Sequence, residues 1–213
     1  MPRWPWMQLR WPWSKHWELL CGQIEKMKRR IRTITVFGSS RPRESDQEYS
    51  MARQLGAELV RKGFSVCTGG YGGVMEAVSR GAHDQGGRAI GVTARFFKAT
   101  ANRWLPKEIR VQSWRDRLFE LINRGDGYVL CAGGTGTLVE LAVVWEMMNK
   151  RVMPQKPAVV LGDFWKPVIE CVRQAEGALE SPGIEKQTLL IQLAGTPGEV
   201  ADVLAAYFKS PAR

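Results

Sequence analysis

The stretch CAGGTGTLVE, Cys131 to Glu140, sets Gly133, Gly134, Thr135, Gly136 and Thr137 directly ahead of one carboxylate, Glu140. Glycine lets a bound group approach the backbone closely and permits positive φ. The threonines add hydroxyl donors. A helix starting here would aim unpaired N–H groups and a partial positive charge at whatever lies in front of it. That combination suits a phosphate. Two other runs share the character, Gly38-Ser39-Ser40 and Gly69-Gly70-Tyr71-Gly72-Gly73. Three such loops on one edge of a sheet read as a cradle for a nucleotide phosphate. Glu140 has two readings. In one, Thr137-Leu-Val-Glu140 is a capping box, with the carboxylate accepting from the Thr137 backbone N–H. In the other, Glu140 sits in the first helical turn facing the ligand, where it stabilises a sugar cation or activates a water. A lone acid without an obvious acidic partner falls outside the two-carboxylate glycosidase scheme.

The common nucleotide fingerprints are absent. No GxxxxGK[ST] occurs, and Gly134-Thr135-Gly136 opens a GxGxxG that Leu138 and Val139 fail to complete. Thr68-Gly69 stand where a nicotinamide cofactor would want an acid. Cys21, Cys67, Cys131 and Cys171 are isolated, with no CxxC pair. They indicate neither zinc nor a redox dithiol, and read as reduced cysteines of a cytoplasmic protein. His16 and His83 are too few for a histidine-rich metal site. No metal and no resident cofactor is expected.

The elements that would position these loops alternate. Ile34–Phe37, Phe64–Cys67, Arg88–Val92, Gly127–Cys131, Ala158–Leu161 and Leu189–Leu193 read as strands. Residues 46–62, 74–85, 114–124, 137–149, 165–177 and 197–208 have helical spacing. Residues 94–108 read as an irregular polar-aromatic connection. Strands alternating with helices pair in parallel through right-handed crossovers, and short, wholly apolar strands are covered by helices on both faces. The expected fold is therefore α/β, a doubly wound Rossmann-like parallel sheet in a single domain over residues 31–213. Its ligand belongs at the carboxyl ends of the strands.

The chain has 213 residues and a formal charge of +10, but eight of its basic residues and only two acids fall within the first 32 positions. The remainder is mildly basic, which suits a small anion as well as a polynucleotide. Residues 1–30 hold five of the nine tryptophans and prolines at 2, 5 and 12. They read as an irregular, Trp-rich, basic N-terminal extension on which no later motif depends. No apolar run is long enough to span a membrane. Neither nucleic acid nor membrane is expected as a partner.

Taken together, these motifs resemble the LOG ("lonely guy") family, once labelled lysine decarboxylases. Ala132-Gly133-Gly134-Thr135-Gly136-Thr137-Leu138-Val139-Glu140 is similar to the family signature PGGxGTxxE except for its proline. Gly69 through Ala77 resembles GGGxxGxM, which implies ligand-binding roles for Gly70, Gly72, Gly73 and Met75, and Gly38-Ser39-Ser40 resembles its first-strand GSS. The similarity covers roughly residues 33–160. The resemblance implies a Rossmann-like homodimer that hydrolyses the N-glycosidic bond of a nucleoside 5′-monophosphate, cytokinin riboside monophosphate or AMP-like, to free base and ribose 5-phosphate. It implies a catalytic pair, Glu140 with Arg117, the arginine of Trp114-Arg115-Asp116-Arg117-Leu118. The competing reading of Arg117 is an exposed helix residue paired with Asp116 or Glu120. Ala132 for proline, Arg115 for histidine and Leu118 for lysine point to a distinct subfamily. The alternative function is a non-catalytic nucleotide-binding or molybdenum-cofactor carrier protein of the same fold. No pyridoxal-phosphate lysine motif is present, so decarboxylation is not expected.

Overall fold

Runs such as Ile34-Thr35-Val36-Phe37 and Ala158-Val159-Val160-Leu161 are β-branched and too short for helices. In the computed structural model, which describes residues 31–179 and 191–209, they become strands of one sheet. The strands are β1 (Thr33–Phe37), β2 (Ser65–Thr68), β3 (Ala89–Ala94), β4 (Lys107–Val111), β5 (Gly127–Leu130), β6 (Ala158–Leu161) and β7 (Ile191–Ala194). The helices are α1 (Gln47–Arg61), α2 (Val74–Asp84), α3 (Trp114–Arg124), α4 (Thr135–Asn149), α5 (Lys166–Leu179) and α6 (Pro197–Lys209). Every pairing is parallel, in the order β4-β3-β2-β1-β5-β6-β7. The order reverses between β1 and β5, where Val36 pairs with Val129 and Phe37 with Leu130. That reversal leaves a crevice beyond the strand ends.

Alternation along each strand feeds two cores. Ile34, Val36, Val66 and Val129 pack with Leu55 and Leu59 of α1, Val78 of α2 and Leu204 of α6. Phe37, Cys67, Tyr128 and Leu130 pack with Leu121 of α3, Leu141 and Met148 of α4 and Ile169 of α5. Helices therefore cover both faces, and the doubly wound architecture expected from the sequence is present. Helices α1 and α2 meet backbone to backbone: a Cβ on Gly56 would collide with the Val78 carbonyl, and one on Gly81 with the Arg53 carbonyl.

The structure differs from the sequence reading in three places. Lys107-Glu108-Ile109-Arg110-Val111 is a strand, β4, which shortens the irregular connection to residues 95–106. Its alternation is polar because it is an edge strand held by the ladder to β3, and charged residues suit such an edge. Helix α4 begins at Thr135, two residues earlier than its apolar spacing suggests. Strand β7 ends at Ala194, and the first two residues of the strand expected there lie outside the described residues. So do the Trp-rich segment 1–30 and Cys21. Among the described residues no helix is long and apolar enough to cross a membrane.

Gly81→Ala should cost about 2–3 kcal/mol by forcing α1 and α2 apart, although alanine is the better helix former by about 1 kcal/mol. Gly177→Ala, in α5 with open space around it, should instead add about 0.5–1 kcal/mol. Urea denaturation of the two variants checks this; a neutral Gly81→Ala would contradict the close contact.

Candidate functional site

The carboxyl ends of β1, β2, β3, β5 and β6 share one rim, and a cavity of about 750 Å³ runs along it. Gly38, Ser39 and Ser40 line it after β1, and Gly133 to Thr137 after β5. Met75, Arg117 and Glu140 line it from α2, α3 and α4. Gly70, Gly72 and Gly73 do not; Gly69 and Tyr71 represent that loop in the wall. Gly73, with φ +68°, is where α2 starts close against the β1 loop: a Cβ there would lie 2.7 Å from Ser40 Cα, and Val74 N–H donates to Ser39 O at 2.8 Å. Gly70, with φ +79°, turns the loop over β3 beside Gly91. These two glycines serve the packing of the rim.

The start of α4 is open. Gly134 is its N-cap, and no side chain caps it. The first amide satisfied by the helix is Leu138 N–H, which donates to Gly134 O at 3.0 Å. The amides of Thr135, Gly136 and Thr137 are therefore the orphan donors of the helix, at the positive end of its dipole. Gly134, Thr135 and Gly136 are exposed, whereas Thr137 is buried against Gly133. The loop needs no proline at 132. Ser39 N–H donates to Ala132 O at 3.0 Å, Cys131 N–H to Phe37 O at 2.9 Å, and Trp165 Nε1 to Cys131 O at 2.9 Å.

This early start removes the capping box expected at Thr137 and Glu140. Glu140 lies in the second turn of α4, facing the cavity, rather than in the first. The capping box belongs to α3, where Asp116 N–H donates to Ser113 Oγ at 3.1 Å and Ser113 N–H to Asp116 Oδ2 at 3.3 Å. Asp116 is thereby engaged, and Glu120 accepts from Arg124 Nε at 2.7 Å. Arg117 is consequently not an exposed helix arginine paired with either acid.

Arg117 points inward and is only 9% exposed. Its Nε donates to Val92 O at 2.8 Å and its Nη2 to Gly69 O at 3.0 Å, with Met75 Sδ 3.7 Å from Nη2. Its Cζ lies 5.4 Å from the Tyr71 ring centre and 5.6 Å from that of Phe97, within cation–π range. A Cβ at Gly69 would collide with Nη2. Burial pulls the guanidinium below its usual range, opposed by the charge of Glu140, but it remains a cation at neutral pH. Burial likewise pushes Glu140 up to about 7, with Arg117 pulling it down. No hydrogen bond or short ion pair joins the two among the described residues, so each feels the other across a gap.

Two wall residues escape a motif search. Phe97, from the 95–106 connection, lines the cavity beside Arg117. Tyr71 occupies a variable position of its motif, and its hydroxyl both accepts from Ala94 N–H at 2.9 Å and donates to Ala94 O. The available signals were a polar connection rich in aromatics and an arginine placed one turn from Leu121 on the apolar face of a helix. Among the described residues no three His, Cys, Asp or Glu side chains gather into a metal-holding group. The rim instead combines open amides, hydroxyls, a seated guanidinium and a carboxylate that titrates near neutrality. Such a wall can hold an anion and accept a proton beside it.

A model of the SLOG cluster4 family matches residues 31–181. An uncharacterised protein of Archaeoglobus fulgidus is 32% identical over 133 residues, 62% of this chain and 85% of that protein. A probable cytokinin riboside 5′-monophosphate phosphoribohydrolase of Oryza sativa subsp. japonica is 32% identical over 132 residues, 56% of this chain; the chain spans about half (51%) of that relative. A molybdenum cofactor binding protein from Rippkaea orientalis has the same fold, with TM-score 0.67 and 22% identity over 84% of this chain and 98% of that one. The chain belongs to the SLOG cluster4 family, whose LOG-type character its glycine motifs carry.

Proposed function

We propose that the protein hydrolyses the N-glycosidic bond of a nucleoside 5′-monophosphate, of the cytokinin riboside monophosphate or AMP type, releasing free base and ribose 5-phosphate. The observation that carries this reading is one cavity shared by the uncapped start of α4, Glu140 and Arg117. The phosphate sits on the amides of Thr135, Gly136 and Thr137, within the shell of Gly133, Gly134, Gly38, Ser39 and Ser40, and Arg41 adds charge. Gly70, Gly72 and Gly73 shape the neighbouring loop, and Met75 packs beneath Arg117. The ribose spans Glu140 and Arg117, and the base lies toward Phe97.

As the C1′–N bond breaks, its electron pair leaves with the base and positive charge grows on the sugar. The Glu140 carboxylate faces that charge and takes a proton from the attacking water, whose oxygen stays on C1′. The departing base gains one proton, so one water is consumed for each bond cleaved. Arg117, fixed on three sides, gives its remaining nitrogen to a ribose hydroxyl. Holding the pieces together lowers the entropic share of the barrier.

The reading extends to the whole chain. Residues 1–30 form an appended segment, 31–213 the nucleotide-binding domain, and the protein acts in the cytoplasm as a homodimer without nucleic acid or membrane. Helix α4 supports the dimer: its outward residues Leu138 and Ala142 are exposed and apolar, and Trp114 and Phe119 of α3 are exposed on the same side of the sheet. A second reading is a non-catalytic binder of a nucleotide or the molybdenum cofactor. Ala132, Arg115 and Leu118, which depart from the LOG pattern, favour it.

Incubation with AMP and related monophosphates should release free base. Glu140→Ala should lower the rate by about 10²–10⁴-fold while keeping AMP affinity within a few-fold; tight binding without release by the wild type would support the carrier reading.

The carboxylate form of Glu140 is the active one, so the rate should rise with pH through about 7. Stability runs the opposite way. A carboxyl whose folded pKa is raised stabilises most below its unfolded value, and that contribution is lost as pH rises to about 7. Glu140→Gln should therefore gain about 1–2 kcal/mol at pH 8 after allowance for its partial exposure, and nothing at pH 4. Thermal melts at the two pH values check this.

Leu138→Glu should convert a dimer to monomer in light scattering. An unchanged mass would remove the α4 face from the interface.

A further inference from the structure

The connection between β3 and β4, residues 95–106, has no regular secondary structure, yet one of its side chains grips the loop after β2 from outside. Asn102 gives its backbone N–H to Gly70 O at 2.8 Å. Its side-chain Nδ2 donates to Gly70 O at 3.2 Å and to Tyr71 O at 3.0 Å, and its Oδ1 accepts from Trp104 N–H at 3.1 Å. Successive carbonyls of the loop thus divide. Those of Gly70 and Tyr71 turn to Asn102, while that of Gly69 turns to Arg117 Nη2. The left-handed φ of Gly70 allows one peptide to turn against the next. On its other side the Gly69–Gly70 peptide gives its N–H to Thr68 Oγ1 at 3.2 Å.

Asn102 thus ties down the Gly70–Tyr71 and Tyr71–Gly72 peptides, which directly follow the Gly69 carbonyl and flank the Tyr71 ring, the two parts of the loop that hold Arg117. The same connection carries Phe97, the second ring against the guanidinium. Asn102 itself does not line the cavity. We infer that Asn102 is a positioning residue for Arg117, acting through the Gly70 and Tyr71 carbonyls and the aromatic pair. This rests on the proposed role of Arg117 at the sugar. It predicts a loss in the chemical step and not in substrate affinity, because the anion cradle at α4 is built from other elements.

Two variants separate positioning from packing. Asn102→Asp keeps the shape and the acceptor for Trp104, but sets a carboxylate against two carbonyl oxygens. Asn102→Ala removes the donors without adding repulsion. If the donors matter, Asp is the more damaging substitution; if only volume matters, Ala is. A misplacement of about 1 Å can cost on the order of 100-fold. The expected result is a fall in kcat for base release from AMP of about 100-fold in Asn102→Asp and about 10-fold in Asn102→Ala, with KM within about threefold of wild type.

An independent readout is the Nε–H resonance of Arg117, assigned by its loss in Arg117→Lys. In the wild type this proton should exchange slowly, because it is buried against Val92 O, and it should exchange at least tenfold faster in both Asn102 variants. A wild-type kcat, the opposite ranking, a rise confined to KM, or unchanged exchange would overturn the inference. Should Asn102→Asp fail to fold, Asn102→Ala alone decides by its kcat and exchange rate. Should the wild type release no base from any monophosphate, the hydrolase reading falls, and the exchange rate alone decides whether Asn102 positions Arg117.

Discussion

An α-helix that begins with no side-chain cap must find partners for its first amides elsewhere. In this protein the start of α4 is such a helix, and it opens on a cavity at the reversal of the strand order. The arrangement around it follows from keeping those amides reachable. Gly134 and Gly136 present no Cβ, Gly133 accommodates the buried Thr137 beside it, and the β1 loop is pinned by Ser39 N–H on Ala132 O. With Gly134 at the N-cap, the open start forgoes only about 0.3 kcal/mol of capping. A bound dianion restores that and more, since the dipole and the donors both favour it.

The second constraint is electrostatic. A guanidinium and a carboxylate both taken from water would be costly if left unpaired. Arg117 meets that cost with two carbonyls, a thioether and two rings, rather than by closing on Glu140. Glu140 is left with its charge only partly compensated, and its pKa rises accordingly. A carboxylate held in this state is a better proton acceptor near neutral pH than one clamped in an ion pair. The two groups stay distinct because their supports come from different elements, the ends of β2 and β3 for one and α4 for the other.

The layered sheet was legible because each strand is short, apolar and followed by a helix with its own period. The rim was legible because small residues recur after β1, β2 and β5. What residue type cannot separate is a glycine needed by a ligand from one needed by a neighbouring backbone; Gly70 and Gly73 belong to the second kind. The first turn of α4 was misplaced because Thr135-Gly136 are weak helix formers, which hid the true position of Glu140. Strand β4 was hidden by its charges, because an edge strand is held by its ladder and not by apolar burial. The seat of Arg117 depends on carbonyl directions from strand β3 and from the loop after β2, far apart in sequence, which no spacing rule records.

The central claim is that the amides opening α4 hold the phosphate. A crystal structure of the protein with AMP tests it most directly. The account predicts phosphate oxygens about 2.7–3.2 Å from the backbone nitrogens of Thr135 and Gly136, with the ribose between Glu140 and Arg117. An AMP whose phosphate lay away from that helix, while the cavity remained open, would contradict it.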